Sequence, residues 1–293
     1  MTNPVVAELV ELLGLERLED NLFRGQSRDI GTRNVFGGQV LGQALSAAQQ
    51  TVEAHRGAHS LHAYFLRAGD IGAPIVYSVE RTRDGRSFST RRVIAIQHGE
   101  QIFNCTVSFQ IDETGLDHQS AMPAVAAADA LPSRKSLSAE ELEKLPPKLQ
   151  RWLGNHGPFE LRFVEPRDEF DPGKREPLQH VWFRLVDRIG DAPALHRAML
   201  AYASDFNLIG TAMLPHGISW LTGQAQLASL DHAMWFHRPF RADEWLLYAL
   251  DSPTAQGARG LARGQVFSAD GRLVASTAQE GMIRLAHVSR RSS

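Results

Sequence analysis

The stretch Trp235-Phe236-His237-Arg238, followed by Leu246-Leu247-Tyr248, reads as a second writing of Tyr64-Phe65-Leu66-Arg67 and Ile75-Val76-Tyr77. Both pairs lie the same 171 residues apart (64 to 235, 75 to 246), and the offset also places Arg91-Arg92 on Ala262-Arg263 and Thr106 on Thr277. A one-residue slip falls at the turns His98-Gly99 and Asp270-Gly271. An offset held through aromatic, charged and turn positions predicts one strand set used twice. Polar residues suited to catalysis gather only in the second writing. The pattern therefore predicts an enzyme descended from a two-site homodimer, in which one half kept the chemistry and the other kept the shape.

A chain of 293 residues accommodates two domains of average size. Its 31 Lys and Arg nearly balance 33 Asp and Glu, with no long run of either sign. Such a surface argues against nucleic acid or an anionic membrane as partner and favours a small, mostly neutral one. Cys105 stands alone, which rules out an internal disulfide and a Cys-rich zinc site and suits a reducing cytoplasm. Met1 to Glu11 lacks a charged segment leading into an apolar one, and nowhere do eighteen apolar residues run together. A soluble, unprocessed, cytoplasmic protein is expected.

Val5, Leu9, Leu12 and Leu13 recur at helical spacing, and Gly14 is suited to end that helix. Asn21 to Gln26 reads as a strand. The pair Gly37-Gly38 opens a helix over Gln39 to Ala54 whose small face (Val40, Ala44, Ala47, Ala48, Val52) permits close approach to a sheet. Leu61 to Ile111 alternates and turns at Gly69-Asp70, Asp84-Gly85 and His98-Gly99, as an antiparallel meander does. From Ser120 to Leu149 the composition shifts to Ala, Pro, Ser and charged residues, with a helix expected over Ser138 to Lys144. Strands follow at Phe159 to Val164 and His180 to Asp187, then a helix from Pro193 to Ala203 that can run on to Met213, then a closing meander from Ser229 to Leu285. A helix wrapped by an antiparallel sheet, twice over, predicts an α+β double hotdog. Its division is residues 1–118, a connector 119–155, and 156–293.

The run from Asp231 to Tyr248, the motif Tyr202-Ala203-Ser204-Asp205 and the stretch Ala275-Ser276-Thr277-Ala278-Gln279-Glu280-Gly281 resemble the acyl-CoA thioesterase II (TesB-type) family. Phe23-Arg24-Gly25, Val35-Phe36-Gly37-Gly38-Gln39 and Tyr64 to Asp70 extend the resemblance over nearly the whole chain except the connector. It implies a hydrolase that cuts medium- to long-chain fatty acyl-CoA to fatty acid and coenzyme A, with no metal or organic cofactor, as a homodimer or higher homo-oligomer. It also implies a catalytic set of Asp205, Ser229 and Gln279, with Ser229 standing where many members carry Thr.

A thioester has a good leaving group, so its hydrolysis needs an activated water, a holder for that water and donors for the oxyanion. Asp205 is suited to accept the proton, and Ser229 and Gln279 to fix the water. Gly38, at the positive end of its helix, is expected to present backbone N–H groups to the carbonyl, with Asn34 helping to polarise it. Asn34 lies opposite Asp205 at the 171-residue offset (34 to 205), which leaves one hydrolytic site per chain at the seam between halves. By residue type alone, Asp205 serves equally well as a helix cap, Ser229 as a strand start, Gln279 as a solvated polar residue, Gly37-Gly38 as close packing and Asn34 as a turn. The acyl chain is expected between helix and sheet, beside Phe36, Phe65, Met234 and Trp235. Two other readings keep the fold: an enoyl-CoA hydratase, which would need His232 or His237 beside the aspartate, and a non-catalytic acyl-CoA-binding module.

Overall fold

The structure, a computed structural model, describes residues 3–132 and 157–286, together with Glu140, Glu143, Pro147 and Gln150. The helix expected over Ser138 to Lys144 lies for the most part outside the described residues. Helix α1 spans Pro4–Leu13 and α2 spans Gly37–Gln49; α3 spans Pro193–Ser204 and α4 spans Leu208–Met213. The strands are β1 (Glu16–Glu19), β2 (Leu22–Gly25), β3 (Gly57–Phe65), β4 (Ile75–Asp84), β5 (Phe88–Gln97) and β6 (Glu100–Gln110) in the first half. In the second half they are β7 (Phe159–Phe163), β8 (Leu178–Leu185), β9 (Ala225–Ser229), β10 (Asp231–Phe236), β11 (Leu246–Gln256), β12 (Arg259–Ser268) and β13 (Leu273–Leu285).

All thirteen strands join one sheet in the order β1-β2-β4-β5-β6-β3-β10-β13-β12-β11-β8-β7, with β9 also on β13. The second half of that order mirrors the first about the antiparallel pair β3·β10. There His62 pairs with Ala233, two residues 171 apart, flanked by Ser60 with Trp235 and Tyr64 with Asp231. A pseudo-twofold axis through the sheet is what the sequence offset requires, because a residue on such an axis must face its own counterpart. Both halves also carry the same irregularity: the register of β3 slips at His59, and the chain leaves the ladder at Leu230, between β9 and β10.

Registers correct one alignment. Thr106 pairs with His62, whereas Ala278 pairs with Ala233, so the structural counterpart of Thr106 is Ala278 and not Thr277. The slip at the hairpin turn persists along the whole following strand, which makes Cys105 the counterpart of Thr277 and Val107 that of Gln279.

Helix α2 packs on β3 to β6 and α4 on β11 to β13, beginning at residues 37 and 208, again 171 apart. Helix α3 crosses α2 antiparallel, Gly38 facing Tyr202 and Gly42 facing Ala198, and α1 covers both. A Cβ at Gly38 would lie 2.2 Å from the Tyr202 carbonyl oxygen, so the close approach needs glycine there. Gly14 does end α1, but with φ −77°, leaving its left-handed freedom unused.

The principal core contains Val40, Leu61 and Val107 together with Leu200, Met234 and Val266, so the two halves share one apolar interior rather than each burying its own. The segment after β6 crosses the outer face of the second half of the sheet. Met122, Val125, Ala128 and Leu131 pack there against Trp182, Leu247, Phe267 and Leu273, and Trp182 Nε1 donates to the Ala126 carbonyl at 2.9 Å. That cover explains why Leu246, Leu247 and Tyr248 are all buried in succession, while Ile75, Val76 and Tyr77 still alternate.

Candidate active site

Helical periodicity runs from Pro193 towards Met213, but the helix is interrupted at Asp205-Phe206-Asn207, where Asn207 takes φ 68°. Asparagine tolerates this left-handed conformation. Its carbonyl accepts from the Thr211 hydroxyl at 2.9 Å and the Gln179 amide at 3.1 Å, which pins the break. Asp205 is the C-cap of α3 and projects its carboxylate to the seam.

Three of the expected residues meet there. Gln279 Nε2 donates to Asp205 Oδ1 at 2.7 Å and Ser229 Oγ donates to the same oxygen at 3.3 Å. The Gly38 N–H at the start of α2 faces the carboxylate, and a Cβ on neighbouring Gly37 would lie 2.7 Å from Asp205 Oδ2. The Gln39 and Val40 N–H groups already bond to the Phe36 carbonyl, at 3.1 and 3.4 Å. Burial raises the pKa of Asp205 above the ordinary carboxylate value, and the bonds from Gln279, Ser229 and Gly38 oppose that rise. Gln279 is itself buried, and its Oε1 has no hydrogen-bond partner among the described residues. Asn34 is exposed in the loop before α2, its carbonyl accepting from Thr32 Oγ1 at 2.7 Å, and takes no part in the hydrogen bonds of the cluster.

By the symmetry of the sheet, the first half holds Ala58 in the place of Ser229 and Val107 in the place of Gln279, both buried and apolar. Only the second half has the side chains to hold a carboxylate. Sequence reasoning missed two residues of the surroundings, Ser204 and Tyr248. Tyr248 OH donates to the Ser204 carbonyl at 3.0 Å and shares a hydrogen bond of 2.7 Å with Thr277 Oγ1. The signal was the match of Tyr248 with Tyr77, whose OH likewise ties strand to helix through Gln43 Oε1 at 2.7 Å.

Trp235 is not on the helix-facing side. Alternation along β10 buries His232, Met234 and Phe236 inward and turns Trp235 outward, where its ring meets His62 edge-on at 5.2 Å. Met234 is closed within the core. Beside Asp205 stand Phe36, stacked on Phe206 at 4.9 Å and edge-on to Tyr202 at 5.1 Å, and Phe65 against Gly37. Neither histidine considered for a hydratase reaches the aspartate: His232 Nε2 bonds Ser204 Oγ at 3.0 Å and His237 Nε2 bonds Ser276 Oγ at 2.8 Å. Of the arginines, Arg91 is buried against Thr51 and Asp84 and is a structural cation. Among the described residues no three His, Cys, Asp or Glu side chains gather as a metal site, and no helix is long and apolar enough to cross a membrane.

A double hotdog with its polar cluster on one side of the axis defines a class in which a duplicated acyl-thioester fold carries one site. Comparison with known proteins makes the assignment specific. The acyl-CoA thioesterase family profile matches residues 157–282, and the profile of the acyl-CoA thioesterase N-terminal domain matches residues 25–110. The chain is 44% identical to acyl-CoA thioesterase 2 of Haemophilus influenzae over 96% of its own length and 98% of that protein. It is 42% identical to human acyl-coenzyme A thioesterase 8, covering 94% of this chain and 88% of the relative. The crystal structure of the acyl-CoA thioesterase II TesB2 from Mycobacterium marinum superposes with TM-score 0.77 at 46% identity, covering 95% of this chain and 99% of that one. The protein belongs to the acyl-CoA thioesterase II family.

Proposed function

We propose that the protein hydrolyses medium- to long-chain fatty acyl-CoA to free fatty acid and coenzyme A, with Asp205 as general base. The observation that carries the mechanism is the shared carboxylate oxygen, held by Gln279 at 2.7 Å and Ser229 at 3.3 Å beside the first turn of α2. A water bonded to the carboxylate loses a proton to Asp205 as its oxygen attacks the thioester carbon. The resulting oxyanion is stabilised by the positive end of the α2 dipole, although the Gly38 N–H expected to face the carbonyl is itself turned to the Asp205 carboxylate. Collapse breaks the C–S bond, and the proton held by Asp205 passes to the departing thiolate. No metal or organic cofactor enters this balance. Ser229 and Gln279 donate to the base and so set its direction. Their geometry does not suit a serine nucleophile, because no imidazole lies against Ser229 among the described residues.

The apolar rings of Phe36, Phe65, Tyr202 and Phe206 around the carboxylate support a fatty chain. The retained donor set supports turnover over mere binding, and the separation of His232 and His237 from Asp205 speaks against the hydratase. The same reading divides the chain into an N-terminal hotdog (1–118), a connector (119–155) and the catalytic hotdog (156–293). It sets the chain in the cytoplasm, in keeping with a single, buried thiol, and in a homodimer or larger assembly.

Free-thiol release from a series of saturated acyl-CoA substrates tests the reaction, and Asp205→Asn tests the base. The variant is expected to lose about 100-fold or more in kcat with KM little changed. Turnover within a few-fold of the parent would remove Asp205 from that role.

A further inference from the structure

We propose that His232 is a positioning residue for the hydrolytic step: the hydrogen bond from its Nε2 to Ser204 Oγ fixes the end of α3 and with it the carboxylate of Asp205. The inference rests on Asp205 acting as base. His232 is wholly buried on the helix-facing side of β10, and Nε2 stands 3.0 Å from Ser204 Oγ. The Ser204 hydroxyl gives its one proton to the Ala201 carbonyl at 2.9 Å, so toward the imidazole it can only accept. With the hydroxyl proton directed at the Ala201 carbonyl, the imidazole carries its proton on Nε2 and leaves Nδ1 as an acceptor. The Ser204 carbonyl is held separately by Tyr248 OH at 3.0 Å. The residue preceding Asp205 is thus tied at its side chain from β10 and at its backbone from β11.

A second, independent observation comes from the duplication. The counterpart of His232 across the axis is Leu61, an apolar residue buried in the core. Ser229, His232 and Gln279 therefore answer to Ala58, Leu61 and Val107: each is polar in the half with the carboxylate and apolar in the half without it. One register step beyond the pair Ala233 with Ala278, His232 lies opposite Gln279, so neighbouring positions on β10 and β13 hold the carboxylate's backbone and the carboxylate itself. His232 Nδ1 and Gln279 Oε1 are both buried without hydrogen-bond partners among the described residues. A core histidine that leaves one ring nitrogen unpaired is a poorer packing residue than leucine, and the bond to Ser204 is what offsets this.

Two titratable groups feel the carboxylate, Tyr202 from α3 and Tyr248 from β11, and His232 from β10 stands on the neighbouring Ser204. Burial raises both phenols and lowers the imidazole to about 3, so all three are neutral across the working range. A pH effect of changing His232 must then pass through geometry. If Asp205 moves away from Gln279 and Ser229, it loses the bonds that hold its pKa down, and the acid limb of the kcat profile moves to higher pH.

The test is a set of four variants assayed for kcat, KM and the pH dependence of kcat on a saturated acyl-CoA. His232→Phe and Ser204→Ala are each expected to lower kcat by on the order of tenfold to a hundredfold with KM within about twofold, and to shift the acid limb upward. His232→Gln, which can present an N–H near the position of Nε2, is expected to recover most of the loss. The double variant should be no slower than the slower single variant, because both changes remove one bond. Ser204→Ala removes a single oxygen and keeps the test valid if His232→Phe fails to fold. Unchanged kcat with only a lowered melting temperature, or an unmoved acid limb, would overturn the proposal. If Asp205→Asn is inactive while Ser204→Ala matches the parent, the base assignment stands and only this inference falls.

Discussion

Asp205 is a carboxyl that the folded chain holds at a raised pKa, chiefly through burial. Two consequences follow with opposite signs. Activity needs the ionised form, so kcat should fall as pH drops through a value above the ordinary carboxylate range of about 3.9, seen as an acid limb in the rate profile. Stability runs the other way. A group whose pKa is higher folded than unfolded favours folding below its unfolded pKa, and that contribution is lost as pH rises through the folded value. Asp205→Asn should therefore melt higher than the parent at pH 7–8, with the difference closing near about pH 4, while losing its turnover. A lower melting temperature at pH 7 would show that burial is not what governs this carboxyl. Asp205, Ser229 and Gln279 were legible through family resemblance, because the flanking motifs carry them. Ser204 was not, since a buried polar residue in the last turn of a helix has no signature of its own, and His232 was named only as a residue that a hydratase would need. Comparing the two writings at those positions, Leu61 against His232, would have exposed the imidazole.

Between elements, the decisive contact is the crossing of α2 over α3. Adding a methyl at Gly38 sets it 2.2 Å from the Tyr202 backbone oxygen, whereas at Gly42 the nearest atoms are the flexible end of Leu13 at 2.9 Å and the Ala198 oxygen at 3.0 Å. Gly38→Ala should thus cost about 1–3 kcal/mol in urea unfolding and lower kcat further than Gly42→Ala does, because it also separates the helix start from Asp205. Equal kinetic losses in the two variants would mean that the helix start has no special part in turnover. The elements themselves were largely readable: α2, which ends at Gln49 and not at the expected Ala54, the meanders and their turns follow from apolar period and Gly-Asp punctuation. The end of α3 was readable as one of two outcomes, a stop near Ala203 with Asp205 as its cap or a run on to Met213; apolar spacing continues through Leu208 and Met213, and the bonds to the Asn207 carbonyl decide for the stop. Strand β1 (Glu16–Glu19) went unseen, being exposed at all four positions. Trp235 was assigned to the wrong side because its motif names the strand and not the face.

For the molecule as a whole, the duplication predicts one functional centre. A thioether analogue of the substrate, which cannot be cleaved, should titrate calorimetrically to about one equivalent per chain, since Ala58 and Val107 give the first half nothing with which to hold a carboxylate. Two equivalents would mean that the first half keeps a working pocket. The twofold plan was legible from the 171-residue offset together with a helix and meander in each half, and the pairing of His62 with Ala233 is its direct expression. The offset also showed the one-residue slip at His98-Gly99 and Asp270-Gly271, but not that it persists along the whole following strand, nor the strap from Asp117 to Leu131 that buries the second half on both faces. The central seam has a further meaning. Strands β3 and β10 complete each other's hydrogen bonding, so a fragment ending at the strap would leave one of them as an open edge that seeks another chain. Paired with its own kind, the first fragment would gain no carboxylate and the second no glycine-led helix. Covalent fusion thus makes unlike meet unlike, so that each half can lack what the other supplies without losing the site.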